Sequence, residues 1–319
     1  MLVALQGAVS QGILWGIMVL GVFITFRLLD IPDMTVDGSF ALGGSVVAVL
    51  VVNLGVDPVV AVLVGMLAGA VAGAVTGLLA TVFEIPAILA GILTQISLWS
   101  INLRIMGKSN TPLLANETIF SRISDATGLP QSTVTMVVGA VLVVLIVLAL
   151  YWFFGTEIGS ALRATGNNEA MIRALGQNTN ATKMIALIVS NALVGLAGGL
   201  ICQSQKYADI GMGTGAIVIG LAAIVIGEVL GRLTPGKLRS FGSRLTAAVI
   251  GSIVYFLIRA IVLQMGMDAN DMKLISAVIV ALALCIPVVW ERYQLRRSYA
   301  RALKASPAGG AADSTNGGR

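Results

Sequence analysis

The stretch GSALRATGNNEAMIRALGQNTN, residues 159–180, is a polar, glycine-containing island in a chain that is otherwise strongly apolar. Long apolar runs flank the island, Val134–Phe154 before it and Met184–Gly199 after it. Runs of this kind cross a bilayer as helices, so the island between them must lie at a membrane face. The island therefore indicates a membrane-embedded chain with a short polar element on one surface.

The middle of the island predicts a short amphipathic helix over residues 168–177. Met171, Ala174 and Leu175 lie on one stripe of that helix. Polar residues occupy the rest of its surface: Asn168, Glu169, Arg173 and Gln177. Because such a helix would be held on a membrane surface between two spanning helices, we expect it to be a docking element for another molecule. The alternative is a surface helix that rests in the lipid headgroups.

The composition excludes an ordinary soluble domain, because 57% of the 319 residues are hydrophobic, only 11% are charged, and the mean hydropathy is +0.95. We predict an all-α fold, a polytopic transmembrane helical bundle with about nine hydrophobic segments, some broken or short. The segments are Ala8–Leu28, Gly38–Val52, Pro58–Thr81, Ile85–Leu103, Val134–Phe154, Met184–Ile201, Gly215–Leu230, Leu245–Leu263 and Leu274–Trp290. One transmembrane domain, residues 1–305, would contain them all, and the small polar tail 306–319 is expected to be disordered.

The basic residues predict the orientation of the chain, because cytoplasmic loops of membrane proteins carry an excess of lysine and arginine. If all nine segments cross, one set of loops carries most of them: Arg27, Arg163, Arg173, Lys183, Arg232, Lys237, Arg239, Arg244, Arg292, Arg296, Arg297, Arg301 and Lys304. The opposite set carries only Arg104, Lys108, Arg122, Lys206 and Lys273. The island and the C-terminus are therefore predicted to be cytoplasmic and the N-terminus external. This topology explains the net charge of +5 without nucleic acid as a partner.

The residues that most enzymes use are missing or isolated. The chain has no histidine, which excludes His-based acid–base catalysis, Ser-His-Asp triads and the usual zinc sites. Its two cysteines, Cys202 and Cys285, have no spacing typical of a metal site or a disulfide framework. The segment GRLTPGKL, Gly231–Leu238, nearly matches a P-loop, but Leu238 stands where serine or threonine should hold magnesium. We therefore predict no catalytic residue, metal site or cofactor in this chain; any ATP would be hydrolysed by another chain.

The third apolar segment carries a glycine at every fourth position: Gly65, Gly69, Gly73 and Gly77. This spacing lines one face of a helix with bare backbone, which lets another helix approach closely in a bilayer. We interpret the face as a helix-packing surface within the chain. A role in dimerisation or gating is the alternative.

Polar residues inside or at the ends of apolar segments are candidates for a solute path, because polar groups at membrane depth are costly and face a cavity or a partner. Our candidates are Asp37, Ser39, Gln95, Asn191 and Gln203. Asp37 and Ser39 open a short helix whose free amides and positive dipole end would suit a polar or anionic solute. The alternatives are an N-cap role for Asp37 or Ser39 and interhelical hydrogen bonds for the amide side chains.

Arg259 is the only charge well inside a predicted span. It either extends to the external interface or pairs with a carboxylate such as Asp268 or Asp271. A secondary transporter driven by an ion gradient, the rival function of another class, usually places paired ionisable groups at mid-membrane. No acidic relay accompanies Arg259, which disfavours that rival.

Four stretches carry a family resemblance: GSALRATGNN (159–168) with ALG (174–176), GLAGG (195–199), GMGTGAIVIGLAAIVIGEVLG (211–231) and TVDGSFALGG (35–44). Together they resemble the permeases of binding-protein-dependent ABC importers, in the branched-chain amino acid and ribose permease superfamily. The resemblance covers about residues 14–293, and the island is its most specific part. The segment DIPDMTVDGSF, residues 30–40, departs from the asparagine-rich version of the amino acid permeases and looks closer to a bacterial subgroup of aromatic amino acid importers.

The resemblance implies that residues 157–182 form a coupling loop seated in a groove of a cytoplasmic ATPase. It assigns this contact to Gly159, Leu162, Arg163, Gly166, Asn167, Asn168, Met171, Arg173, Ala174, Leu175 and Gly176. It also implies ATPase subunits that hold ATP and Mg, an extracellular or lipid-anchored solute-binding protein, and a second permease chain, which we expect to be identical. The chain would lie among the lipids of a bacterial inner membrane and import a small polar solute, an amino acid first and a sugar or nucleoside second.

Overall fold

The computed structural model describes residues 2–233 and 240–265, together with residues 274, 277–282, 285 and 292. These residues are mostly helical. The helices are α1 (Leu2–Phe23), which continues into a π-helical turn (Ile24–Leu28), α2 (Thr35–Val52), α3 (Pro58–Thr81), α4 (Ala87–Met106), α5 (Ile119–Thr127), α6 (Gln131–Gly155), α7 (Glu157–Asn167), α8 (Glu169–Ala174), α9 (Thr179–Gln205), α10 (Ala216–Leu233) and α11 (Phe241–Gln264). Two short strands, β1 (Asn110–Pro112) and β2 (Tyr207–Asp209), pair antiparallel, with Thr111 opposite Ala208.

Seven helices in the described part of the chain are long and apolar enough to cross a membrane, which confirms the prediction of an all-α, multi-pass membrane protein. They are Ala4–Leu28, Thr35–Val52, Pro58–Thr81, Ala87–Met106, Gln131–Gly155, Thr179–Gln205 and Phe241–Gln264. The second predicted segment thus begins at Thr35 rather than Gly38 and is long enough for a span. The seventh corresponds to α10, whose apolar stretch Ala216–Gly231 is shorter. Most of the ninth segment and all of the tail lie outside the described residues.

Helices α1, α2 and α9 form the centre of the bundle, because other helices bury most of their surface. On α1, for example, Leu14, Ile17 and Phe23 are fully buried. Helices α3, α4 and α6 instead expose much of their apolar surface, including Leu67 and Trp152. An apolar surface this extensive needs lipid or another membrane chain against it.

The glycine face of α3 packs against other helices of the same chain. It consists of Gly65, Gly69, Gly73 and Gly77. A Cβ atom added at Gly69 would collide with the carbonyl oxygen of Asn191 in α9. One added at Gly73 would collide with the carbonyl oxygen of Leu187, one turn earlier. Contact at Gly77 is looser, with the nearest side-chain atom 3.3 Å away. The middle of this face therefore permits a backbone approach between α3 and α9 that only glycine allows.

Candidate functional site

The island folds as two short helices, α7 and α8, and the prediction of one helix over residues 168–177 is wrong in its bounds. Helix α7 begins earlier, where Thr156 Oγ1 accepts a hydrogen bond from the Gly159 N–H at 3.3 Å. Asn168 has an extended backbone, and its Oδ1 accepts a first-turn N–H of α8 at 3.0 Å, so Asn168 ends α7 and caps α8. Gly176 follows α8 with a φ of +82°, which favours glycine, and leads the chain into α9.

Two other glycines of the island permit close packing. Gly159 and Gly166 both lie within helix α7. A Cβ atom at Gly159 would collide with the carbonyl oxygen of Phe153 in α6. One at Gly166 would collide with the carbonyl oxygen of Leu28 in the π-helical turn. Leu162, on the same face of α7, is fully buried in the core. This face therefore fixes α7 tightly against the ends of α1 and α6.

One carboxylate ties α8 to the start of α9. Glu169 Oε1 accepts a hydrogen bond from Lys183 Nζ at 2.7 Å and from Arg173 Nη2 at 2.9 Å. Arg173 also donates to Thr179 Oγ1 at 3.2 Å. The hydrogen bond from Lys183 lowers the pKa of Glu169 below its ordinary value. The buried anchor of α8 is Ile172, a residue that we did not single out from the sequence.

The apolar stripe expected from the sequence lies on the outside of the island. Met171 is 51% exposed and Leu175 is 70% exposed. Ala174 is exposed beside them, as are Arg163 and Asn167 on α7. Large apolar side chains grouped on a polar surface are typical of a surface that another molecule covers. The arrangement provides an apolar face on α8, and the exposed guanidinium of Arg173 lies on the same short helix.

A basic cleft of about 760 Å³ lies beside α7, and three arginines contribute to its lining: Arg27, Arg163 and Arg244. Arg27 forms a bidentate ion pair with Glu228 of α10, with N–O distances of 2.5 and 3.0 Å. Arg163 lies over the ring of Phe241, with its Cζ atom 5.4 Å from the ring centroid. Because the described lining residues include three guanidinium groups and no carboxylate, and Glu228 pairs with Arg27 alone, this part of the cleft carries a positive charge next to the island.

Asp37 caps a helix, but not the helix that contains it. Its Oδ2 accepts the Gly215 N–H at 2.9 Å and its Oδ1 accepts the Ile217 N–H at 3.0 Å, at the start of α10. The N-cap alternative therefore describes Asp37, with α10 in place of α2. Ser39 is fully buried, and its Oγ has no hydrogen-bond partner among the described residues. Gln95 is partly buried on α4.

Asn191, in the middle of α9, holds Asp33, a buried residue that we did not select from the sequence. Asn191 Nδ2 donates to Asp33 Oδ2 at 2.7 Å, and the Thr35 N–H donates to Asp33 Oδ1 at 2.9 Å. The side chains of Thr35, Thr76 and Thr94 form a hydrogen-bonded row, with O–O distances of 2.7 and 3.0 Å. A buried polar row thus joins α2, α3, α4 and α9. The acidic break after α1 was visible in the sequence, but not which of its carboxylates contacts α9.

Gln203 holds three segments together at the end of α9 opposite the island. Its Oε1 accepts the Ile119 N–H at the start of α5, at 2.9 Å. Its Nε2 donates to the Pro58 carbonyl oxygen at the start of α3, at 2.8 Å. The side chain is fully buried and both of its polar ends bind backbone groups. This geometry favours the hydrogen-bonding alternative for Gln203.

A cavity of about 600 Å³ opens at the same end of α9. Four lining residues stand out: Trp15, Phe40, Tyr255 and Arg259. Only Arg259 was considered from the sequence, and its Cζ atom lies 5.7 Å from the ring centroid of Phe256. The expected partners Asp268 and Asp271 lie outside the described residues. A second cleft, of about 540 Å³, lies at the island end between α3, α8 and α9.

In comparisons with known proteins, the matching family and relatives are all transport permeases. A family model described as "Branched-chain amino acid transport system / permease component" matches residues 4–285. The tyrosine transport system permease protein of Clostridioides difficile (strain R20291) is 39% identical over 85% of this chain and 87% of its own length. The ribose import permease protein RbsC of Escherichia coli (strain K12) is 28% identical over 80% of this chain and 76% of its own length. The nucleoside ABC transporter permease protein NupC of Lactococcus lactis subsp. cremoris (strain MG1363) is 29% identical over 46% of this chain and 44% of its own length.

Proposed function

This chain belongs to the family of branched-chain amino acid transport system permease components, and from that premise we propose that it is the membrane subunit of an ATP-driven importer for an aromatic amino acid. The similarity to the tyrosine transport permease, over most of both chains, is the observation that carries the choice of solute. The acidic segment 30–40, which looks closer to aromatic amino acid importers than to other amino acid permeases, supports the same choice.

The geometry of the island supports its docking on a cytoplasmic ATPase. The exposed stripe of Met171, Ala174 and Leu175 would fill an apolar groove, and Arg163 would meet acidic side chains there. The tight packing of α7 against α1 and α6, and the Glu169 ion pairs to α9, would transmit a displacement of the island to the bundle. ATP and Mg would be bound by the ATPase, because the near-match Gly231–Leu238 lacks the magnesium-binding hydroxyl.

The exposed apolar faces of α3, α4 and α6 support assembly with lipid and with a second permease chain. We propose a homodimer in a bacterial inner membrane, with the island and the C-terminus in the cytoplasm. A binding protein would deliver the solute to the opposite face. Native mass spectrometry of the purified complex counts the permease chains, and two different permease chains in one complex would contradict the homodimer.

The test is uptake of radiolabelled tyrosine into proteoliposomes that contain the permease, its ATPase and its binding protein. We expect uptake that requires ATP, persists when proton and sodium gradients are collapsed, and is reduced by excess phenylalanine or tryptophan. Uptake driven by an ion gradient without ATP would support the secondary transporter instead.

The second candidate is a sugar or nucleoside permease, which the ribose and nucleoside relatives favour. It predicts ATP-dependent uptake of ribose or a nucleoside and none of tyrosine.

A further inference from the structure

The cavity opposite the island has a buried aromatic floor and a polar rim. Trp15, Phe40 and Tyr255 form the floor, and none of them is more than 7% exposed. The ring centroids of Trp15 and Phe40 lie 4.8 Å apart. The rim is polar and more exposed: Gln11, Gln205, Thr214 and Arg259. The volume of about 600 Å³ falls within the range of roughly 300–1,000 Å³ that is typical of small-molecule sites.

Two groups in this cavity have no polar partner among the described residues. The hydroxyl of Tyr255 is buried and has no hydrogen-bond partner within the described part of the chain. A buried hydroxyl without a partner is unfavourable, so such positions are usually completed by water or a ligand. Arg259 is half-buried on the rim, and no carboxylate among the described lining residues neutralises it. Within the described part of the chain, the cavity thus offers a cation with no facing carboxylate above an aromatic floor.

We propose that this cavity binds the transported solute as an aromatic amino acid, with its carboxylate at Arg259 and its ring on the floor formed by Trp15 and Phe40. The inference rests on the proposed function and states where in the chain the solute binds. A guanidinium binds a carboxylate through charge-assisted hydrogen bonds, and aromatic rings pack favourably on one another in tilted or offset arrangements. The side-chain carbonyls of Gln11 and Gln205 can accept hydrogen bonds from the ammonium group.

The charge on the rim distinguishes this solute from the alternatives. A neutral sugar or nucleoside could lie on an aromatic floor, but among the described lining residues it would leave Arg259 without a counter-charge. An amino acid supplies that charge and has an ammonium group for the rim amides. The cavity therefore favours an amino acid zwitterion with a ring over a neutral polar solute.

The experiment is equilibrium binding of radiolabelled tyrosine to the permease–ATPase complex in nanodiscs, without the binding protein. Tyramine, which lacks the carboxylate, serves as the competitor. We expect Arg259→Gln to weaken tyrosine binding about ten-fold or more and to leave the weaker competition by tyramine unchanged. Arg104→Gln, which removes a cation from the end of α4 outside the cavity, should bind tyrosine as the wild type does.

Thr214→Trp provides a second test that leaves α11 intact. Thr214 is exposed on the rim, so a larger side chain there should occupy the cavity without disturbing the core. We expect this variant to assemble with the ATPase and to lose tyrosine binding to a similar extent. Wild-type affinity in either Thr214→Trp or an assembled Arg259→Gln complex would overturn the proposal. If Arg259→Gln does not assemble, the result with Thr214→Trp decides.

Uptake by the wild-type complex separates failure of this site from failure of the proposed function. If wild-type proteoliposomes import tyrosine with ATP but the two variants bind it normally, the cavity is not the solute site and the function stands. If the wild type imports ribose or a nucleoside and no tyrosine, the choice of solute is wrong, and the proposed binding site for an aromatic amino acid is wrong as well.

Discussion

The two ends of α9 are held by different kinds of interaction. At the island end, the partly exposed carboxylate of Glu169 binds Lys183 and Arg173. At the opposite end, Gln203 is fully buried and binds backbone groups of α3 and α5. Exposed ion pairs are weak and screened by salt, whereas a buried amide leaves costly unpaired groups when it is removed. From this difference we expect the island end of α9 to yield more readily to an applied displacement than the opposite end.

The largest effect is expected on the exposed face of the island. The double variant Arg163→Glu, Leu175→Asp reverses a charge and places another in the apolar stripe, so we expect it to abolish co-purification of the ATPase while the membrane fold survives. The matched control is Arg104→Glu, Leu129→Asp, which makes the same changes at exposed positions distant from the island. Full association and transport in the island variant would contradict ATPase docking.

A substitution at the opposite end of α9 should lower the stability of the protein and should not affect docking of the ATPase. Gln203→Leu leaves the Ile119 N–H and the Pro58 carbonyl oxygen without their partner, so we expect a loss of about 2–4 kcal/mol in the free energy of unfolding. Denaturation in detergent measures this loss of free energy of unfolding. Gln264→Leu, at an exposed position near the end of α11, is the control and should change little. Equal stability of the two variants would show that Gln203 does not hold this end.

A smaller effect is expected between the two ends, where α3 crosses α9. Gly73→Ala forces a methyl group against the Leu187 carbonyl oxygen, and overpacking of this kind typically destabilises by about 1–3 kcal/mol. Gly77→Ala, on the same face, meets its nearest neighbour at 3.3 Å and should be tolerated better. Thermal unfolding of the two variants compares them, and a more harmful substitution at Gly77 would contradict the packing described for this face.

The smallest effect is expected at the Glu169 ion pairs, where Glu169→Gln should destabilise by roughly 0.2–1 kcal/mol. Because the pKa of Glu169 in the folded protein lies below its ordinary value of 4.5, this contribution is fully present above pH 4.5 and is lost as the pH falls through the folded pKa. Hydrogen exchange of α8 should show a loss of protection on acidification in the wild type but not in Glu169→Gln. The same pH dependence in both proteins would assign the loss to another group.

The sequence predicted the features that depend on local pattern. The apolar runs identified the spans, and the four-residue spacing from Gly65 to Gly77 identified a bare helix face, because helical periodicity is visible in a single segment. The polar island between two spans also predicted a surface element correctly. Its internal structure was missed in two respects: Asn168 ends α7 and caps α8, so the island contains two helices, and Ile172 is the buried residue of α8.

Features that join distant segments could not be predicted. Asp37 caps α10 from 178 positions earlier in the chain, and the Asn191–Asp33 hydrogen bond spans 158 positions. The cavity likewise combines Trp15 of α1 with Tyr255 of α11. Such pairs depend on how the helices pack, and a hydropathy pattern contains no information on which faces meet.

Docking of the island on an ATPase is the central claim, and site-specific photo-crosslinking tests it most directly. A photoreactive amino acid at position 175, introduced into the assembled importer, should yield crosslinked peptides of the ATPase in mass spectrometry. The same probe at position 129, on the exposed loop after α5, should yield none. Crosslinks from position 175 only to lipid or to the permease itself would contradict the claim.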